Sequence, residues 1–327
     1  MKPLGLAELE ACAEDFDALV SRTPKIDRFC SSTAWTLSAA EALMPARPPA
    51  ILRGEHGYLA AMVATHVNGV PYLEPLELSW GLACPLIGAD VDALVDEVAE
   101  ALAARSDWGF VVVPGVTADG PQRRALARSG RPWLVRRGAV TVRHIASLDG
   151  GVDGFLRRRS ANFRKALHKS ERAARAAGIE LVVAADGSSQ GVDAEALFAR
   201  IMAVEAGSWK SQEGVGVSAG PMRAFYQAML PRLLAKGRAR VMFARRGELD
   251  IGYIMGSVFE GEYRGLQFSY RDEYSEYSIG SLCQLHQIEA LCSEGVAAYD
   301  LGTEMEYKAR WAEQQFATEL QILIRDQ

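Results

Sequence analysis

The 327-residue chain has no apolar run near the roughly 18 residues that a membrane-spanning helix needs, so no span is expected. Its start, Met1-Lys2-Pro3-Leu4-Gly5-Leu6-Ala7-Glu8, turns acidic at once and has no signal-peptide core, and the cytoplasm is the expected compartment. Cysteine is scarce. Cys12, Cys30, Cys84, Cys283 and Cys292 are odd in number, scattered and without a C-x-x-C pair, which argues against a disulfide framework and a cysteine-built zinc site; no metal is expected. Positive charge is not in surplus either: 36 Lys and Arg against 41 Asp and Glu give a net charge of -5, unlike a whole-surface nucleic-acid binder. Short-period repeats and low-complexity segments are missing, which removes solenoids and long disordered tails.

What is present is the composition of a globular protein, 49% hydrophobic and 24% charged, at a length that favours two domains. The first half mixes amphipathic helices over 6–21 and 92–104 with strands over 50–53, 58–65, 109–114 and 138–145. The run Ser147-Leu148-Asp149-Gly150-Gly151-Val152-Asp153-Gly154 is rich in glycine and poor in large apolar residues, and it places a domain boundary near residue 150. The expected domains are therefore 1–150 and 151–327.

In the second half a long helix over 155–177 ends at Gly178, followed by a strand over 179–184 and helices over 194–209 and 221–236. Three strands in close order, 238–245, 251–260 and 262–270, form an antiparallel meander. A helix over 279–294, stopped by Gly295, leads into a strand over 296–301, and such a crossover makes the strands on either side parallel neighbours. The order implies an α+β fold with a mixed sheet.

Most of the chemistry concentrates between Gly265 and Trp311. Tyr277-Ser278-Ile279-Gly280-Ser281 opens a helix after a strand and a Tyr-rich loop, leaving backbone N–H groups and the positive end of the helix dipole for an anion such as a phosphate. Eight basic residues, Arg157, Arg158, Arg159, Arg164, Lys165, Lys169, Arg172 and Arg175, accompany the single acid Glu171 between Phe155 and Gly178. That stretch is either a solvated basic face or a groove for an anionic partner.

The element order resembles the GNAT acyltransferase fold. Its finer signatures look like the CelD/FemAB-type branch, the cellulose-biosynthesis-type acetyltransferase family: the basic helix ending Arg175-Ala176-Ala177-Gly178, Trp209-Lys210, Tyr270-x-x-x-Tyr274-x-x-Tyr277-Ser278-x-Gly280, Tyr299-Asp300-Leu301-Gly302 and Tyr307-Lys308-x-Arg310-Trp311. The first half, with Phe29-Cys30-Ser31-Ser32-x-x-Trp35, looks like the family's N-terminal partner. The resemblance implies tandem GNAT-like domains of which only the second carries the acyl donor. It departs from the ordinary Q/R-x-x-G-x-G/A donor loop, since residues 274–280 keep one glycine and contain Glu276. Acyl-CoA is the expected co-substrate, with carrier-protein thioesters and aminoacyl-tRNA left open as donors.

The implied reaction is attack of a primary amine, on an amino acid, peptide side chain or amino sugar, on a thioester held in attack geometry. Tyr277, Ser278, Ile279, Gly280 and Ser281 would take the donor phosphates, with Lys308 and Arg310 at its far end. A main-chain donor at Ser269-Tyr270 would polarise the carbonyl. Glu304 is favoured as base, with Asp300 close behind, although Asp300 is also placed to cap a turn. One of Tyr270, Tyr274 and Tyr277 would protonate the leaving thiolate. Trp209 and Lys210 would contact the acceptor beside a lid over 213–216. A non-catalytic scaffold that kept the fold is the third reading.

Overall fold

The computed structural model describes every residue except Ser79, Ser189, Gln190, Trp209, 211–216 and Gln327. It divides into two compact units, one of Met1–Val142 with Ala317–Gln327 and one of Arg143–Phe316.

In the first unit β1 (Lys2–Leu4), β2 (Pro49–Arg53), β3 (Tyr58–Thr65) and β4 (Pro71–Pro75) pair antiparallel in chain order, and the short β5 (Leu86–Ile87) adds to β3. The helix Val91–Ala103 then crosses to β6 (Phe110–Val116), which runs parallel to β4. Asp90 caps that helix by accepting from Ala93 N, and Val91, Leu94, Val95, Val98 and Leu102 fill its buried face at helical spacing. The chain's last strand, Gln314–Arg325, lies antiparallel to β6 over residues 319–324.

The second unit repeats this order. The strand β7 (Trp133–Ser147) enters it at residue 143, and β8 (Ile179–Ala185), β9 (Ala239–Arg246), β10 (Leu249–Phe259) and β11 (Glu262–Tyr270) pair antiparallel in succession. The helix Ile279–Ser293 crosses to β12 (Ala298–Thr303), which runs parallel to β11 and antiparallel to the end of β7. The fold is α+β with a mixed sheet, as the sequence order implied, and the meander followed by a parallel crossover pair occurs once in each unit.

Local chemistry explains where elements depart from the sequence reading. The helix expected over 155–177 is two helices, Gly151–Arg157 and Ala161–Ala176, because Ser160 takes extended dihedrals and its hydroxyl accepts from Phe163 N at 3.2 Å, starting a new helix. The glycine run 147–154 lies inside the second unit: Gly150, at φ 75°, starts the helix Gly151–Arg157. The first helix, expected over 6–21, likewise divides at Cys12 into Leu6–Ala11 and Ala13–Arg22.

The second unit's core lies on the crossover helix. Phe155, Tyr263, Leu285, Ile288, Tyr299 and Trp311 form one buried cluster, and Met242, Ile251, Ile254, Ile279 and Leu282 belong to another. Trp311 stacks on Phe155 and meets Phe163 edge-on at 4.9 Å, so it packs in the core. Among the described residues no helix is long and apolar enough to cross a membrane.

Candidate active site

Strands β11 and β12 pair over three rungs, Glu262 with Ala298, Tyr263 with Tyr299 and Arg264 with Asp300, and then part. Both bend there. The partners of β10 jump from Gln267 to Gly265 across Met255 and Gly256, so Leu266 is the extra residue of a bulge, and the pairing of β12 with β7 shifts between Asp300 and Thr303. A Cβ on Gly265 would sit 2.8 Å from the Tyr299 ring, so only glycine fits where the strands begin to separate.

Asp300 forms the base of this opening. It is buried, its Oδ2 is ion-paired with Arg143 and lies 3.1 Å from Arg264, and its Oδ1 accepts from Gly302 N at 2.8 Å. A carboxylate held by two guanidiniums and a backbone N–H has its charge compensated on every side, which makes it a fastening and a poor proton acceptor. Glu304, one residue past β12, is exposed, with its carboxylate 3.9 Å from Nε2 of the buried His144.

The 3₁₀ turn Glu306–Arg310 folds back over the end of β12. Lys308 is buried there and donates from Nζ to Thr303 O at 2.8 Å; burial, and then the nearby Arg264, lowers its pKa to about 8. Tyr307 meets Phe268 of β11 edge-on, with ring centroids 6.0 Å apart. Arg310 is exposed on the same turn.

On β11 the direction of the main chain matters. Arg271 N donates to Ile251 O of β10, so by strand alternation the main-chain groups of Ser269 also turn toward β10, while those of Phe268 and Tyr270 turn away from it. Of the expected pair Ser269-Tyr270, Tyr270 N–H is thus the one with the right orientation. Lys210 uses the same edge, donating to Phe268 O at 2.5 Å with its ammonium 5.2 Å from the Phe268 ring, and burial lowers its pKa. Trp209 and the expected lid at 213–216 lie outside the described residues.

The crossover helix begins beside this edge. Ser278 takes a left-handed conformation, φ 55° and ψ 41°, and its carbonyl accepts from Ser281 N and Leu282 N. The first N–H groups of the helix, on Ile279 and Gly280, have no intrahelical acceptor and sit at the positive end of the dipole. Gly280 has a packing reason as well, since a Cβ there would lie 2.8 Å from the Phe268 ring. Tyr270, Tyr274 and Tyr277 pack partly buried against the cluster that contains Ile279, and Arg246 lies 6.0 Å from the Tyr274 ring. The structure therefore gathers Tyr270, Tyr274, Tyr277, Ser278, Ile279 and Gly280 at one end of β11, and places Asp300, Glu304, Lys308 and Arg310 on the β12 side.

Sequence reasoning missed a polar group on the opposite face of β11. Glu205, fully buried in the last turn of the helix Ala194–Ala206, accepts from Tyr253 OH at 2.7 Å, and Tyr253 pairs across the sheet with the buried Ser269. Burial, and then Glu205, raises the Tyr253 pKa and keeps the phenol protonated. Gln267, on the same face of β11, donates to Tyr226 OH at 3.0 Å. The signal was available: Glu205 falls seven residues after Phe198 and directly after Val204, on the apolar side of its helix.

Of the eight basic residues between Phe155 and Gly178, Arg158 and Arg159 pair with Glu313, and Arg164 donates to the carbonyls of Leu156 and Arg159. Arg157, Lys165, Lys169, Arg172 and Arg175 are exposed. Among the described residues one group, Glu55, His56 and Glu97 in the first unit, brings three ligating atoms within 4.8 Å, but Glu97 already accepts from the backbone N–H groups of Glu55 and His56.

Residues 161–309 match the acetyltransferase (GNAT) domain family. No curated protein matches the chain in sequence. The FemX crystal structure is similar at 11% identity and a TM-score of 0.64, over 94% of this chain and 95% of that one. A conserved protein of unknown function from Bacteroides thetaiotaomicron is similar at 10% identity and a TM-score of 0.66, over 99% and 98%. The C-terminal domain of a putative lysylphosphatidylglycerol synthetase from Agrobacterium fabrum is similar at 14% identity and a TM-score of 0.61, over 97% and 92%. At these identities the likeness is one of fold. The stretch that forms the opening between β11 and β12 falls within the stretch that matches the GNAT acetyltransferase domain.

Proposed function

We propose that the chain is an N-acyltransferase that moves an acyl group from acyl-CoA to a primary amine at the opening between β11 and β12. The observation that carries this reading is the parting of the two strands after Arg264 and Asp300, beside the unpaired start of the helix Ile279–Ser293. The donor's pyrophosphate would lie on the N–H groups of Ile279 and Gly280, flanked by Tyr277, Ser278 and Ser281. Tyr270 N–H would hold the thioester oxygen as negative charge develops on it. The amine nitrogen forms the C–N bond, the C–S bond breaks, and the thiolate takes a proton from Tyr270 or Tyr274. Glu304 would pass the amine's proton to solvent, and Lys308 and Arg310 would bear on the donor's phosphates. The first unit would serve as a partner without a donor of its own.

A second reading is favoured by a separate observation. Lys165, Lys169 and Arg172 are exposed at i, i+4 and i+7 and form a stripe on the helix Ala161–Ala176, which suits a nucleic-acid backbone and an aminoacyl-tRNA donor.

A thermal-shift panel separates the two. Acyl-CoA esters of increasing chain length should raise the melting temperature with concentration, as mass action requires of a ligand that binds the folded state. If bulk aminoacyl-tRNA binds instead, with an affinity that falls steeply with salt and is lost when Lys165, Lys169 and Arg172 become Glu, the tRNA reading replaces it. A shift with neither donor would leave a scaffold.

A further inference from the structure

The first unit holds a cavity of about 250 Å³ that the transfer chemistry does not use. Strands β4 and β6 pair over two rungs, Tyr72 with Phe110 and Leu73 with Val111. Side chains alternate across a sheet, so Leu73, Val111 and Val113 turn to one face and are buried, while Tyr72, Phe110 and Val112 turn to the other and line the cavity. Phe110 is only half-buried, and its ring stacks on that of Tyr72, with centroids 4.5 Å apart and planes 9° from parallel. The backbone holds this stack, because its members are opposite partners on one rung. Trp80 is a second aromatic wall, and it meets Trp35 edge-on at 5.5 Å. The fully buried carboxylate of Glu77 fixes the loop that carries Trp80: it accepts from Trp35 Nε1 at 2.6 Å and from Leu82 N and Ala83 N at 2.7 Å. Gly81, at φ 80°, bends this loop, and a Cβ there would lie 3.0 Å from Thr141 Oγ1 of β7, so loop and sheet meet closely around the cavity.

We infer that this cavity binds a neutral aromatic group that carries an N–H or O–H donor, of the size of an indole. An apolar cavity of ~150 Å³ takes up benzene, so the larger space here accommodates two fused rings. The lining contains no Lys, Arg, Asp or Glu, and an ion that entered would lose its water without gaining a counter-charge. A planar ring extends the Tyr72–Phe110 stack, whereas a saturated chain makes only ordinary apolar contact. The donor is called for by His66 at the exposed rim. Its Nδ1 lies 2.8 Å from Asn68 Oδ1, an oxygen that also accepts from Val70 N at 3.2 Å. In the neutral ring that oxygen takes the Nδ1 proton, which leaves Nε2 as an acceptor for the ligand. A second acyl donor does not suit this unit, because the start of the helix Val91–Ala103 is closed by the Asp90 carboxylate, which accepts from Ala93 N and repels a phosphate. The site belongs to the first unit and stands whether or not the second unit transfers acyl groups.

The test is titration of the full chain with indole, read by ligand-observed NMR. Wild-type protein should bind indole saturably. Benzofuran, which has the same shape without the N–H, should bind about threefold more weakly, and cyclohexanol, which has a donor without a ring face, at least about threefold more weakly. Trp80→Ala removes a wall and should weaken indole binding by about tenfold. Ala139→Leu fills the cavity from an exposed position of β7 and should abolish binding with the fold intact, so the inference is still tested if Trp80→Ala fails to fold. No saturable binding to wild type, undiminished binding in both variants, equal affinity for indole and benzofuran, or tighter binding of tetramethylammonium than of indole overturns the inference.

Discussion

Arg264 and Asp300 are opposite partners on the last rung of the parallel pair, and their side chains are joined by an ion pair of 3.1 Å. The strands separate immediately beyond them. With Arg143 on the other side of the same carboxylate, this pairing holds β7, β11 and β12 together at the point where the opening begins. Removing the Asp300 charge would take from two buried guanidiniums the carboxylate that they share. Asp300→Asn is therefore expected to cost about 3–5 kcal/mol of stability, read by denaturant unfolding. A loss below about 1 kcal/mol would show that the pair fastens nothing.

Gly280 and Phe268 make a second prediction. A methyl group at 280 would lie 2.8 Å from the Phe268 ring, so Gly280→Ala should destabilise the protein by about 1–3 kcal/mol through overpacking, and adding Phe268→Leu should restore most of that. If the double variant is no more stable than the single one, the glycine is required for another reason, and the anion site at the helix start is the first to examine.

Lys308 links burial to pH. Its folded pKa is about 8 against an ordinary value of 10.5, lowered first by burial, so between those values the unfolded chain holds a proton that the folded chain has lost. The penalty for a buried ammonium is then fully present below pH 8 and is relieved as pH rises toward 10.5. Lys308→Met should be more stable than wild type at pH 7, and the difference should shrink across that window. Thermal melts from pH 7 to 10.5 measure it, and a difference that does not change with pH would contradict it.

Glu304 is expected to have its own kinetic signature. Glu304→Gln should lower kcat at least about tenfold with little change in the amine KM, as loss of a proton acceptor does. Steady-state kinetics with varied amine read this, and full activity in Glu304→Gln would remove it as base.

The crossover that builds the site was legible in the sequence because it is local: residues 262–270, a helix stopped by Gly295 and a following strand leave one arrangement for β11 and β12. The role of Asp300 was not, because Arg143 lies 157 positions away and nothing near Asp300 announces it. The division of the basic helix at Ser160 was written in the sequence as a capping residue, but the surrounding helix formers concealed it. Glu205 was visible as an acid on an apolar helix face. Its setting depends on Tyr253 of β10, 48 positions away, donating to it, which only the tertiary structure supplies.

The most direct measurement is a transfer assay: purified protein, an acyl-CoA series and an alkylamine, with the amide product read by mass spectrometry. The expected result is an amide whose mass tracks the acyl donor and whose formation is abolished without enzyme. Absence of amide with every acyl-CoA, from folded protein that forms it readily from aminoacyl-tRNA, would contradict the CoA donor, and absence with both donors would contradict acyl transfer itself.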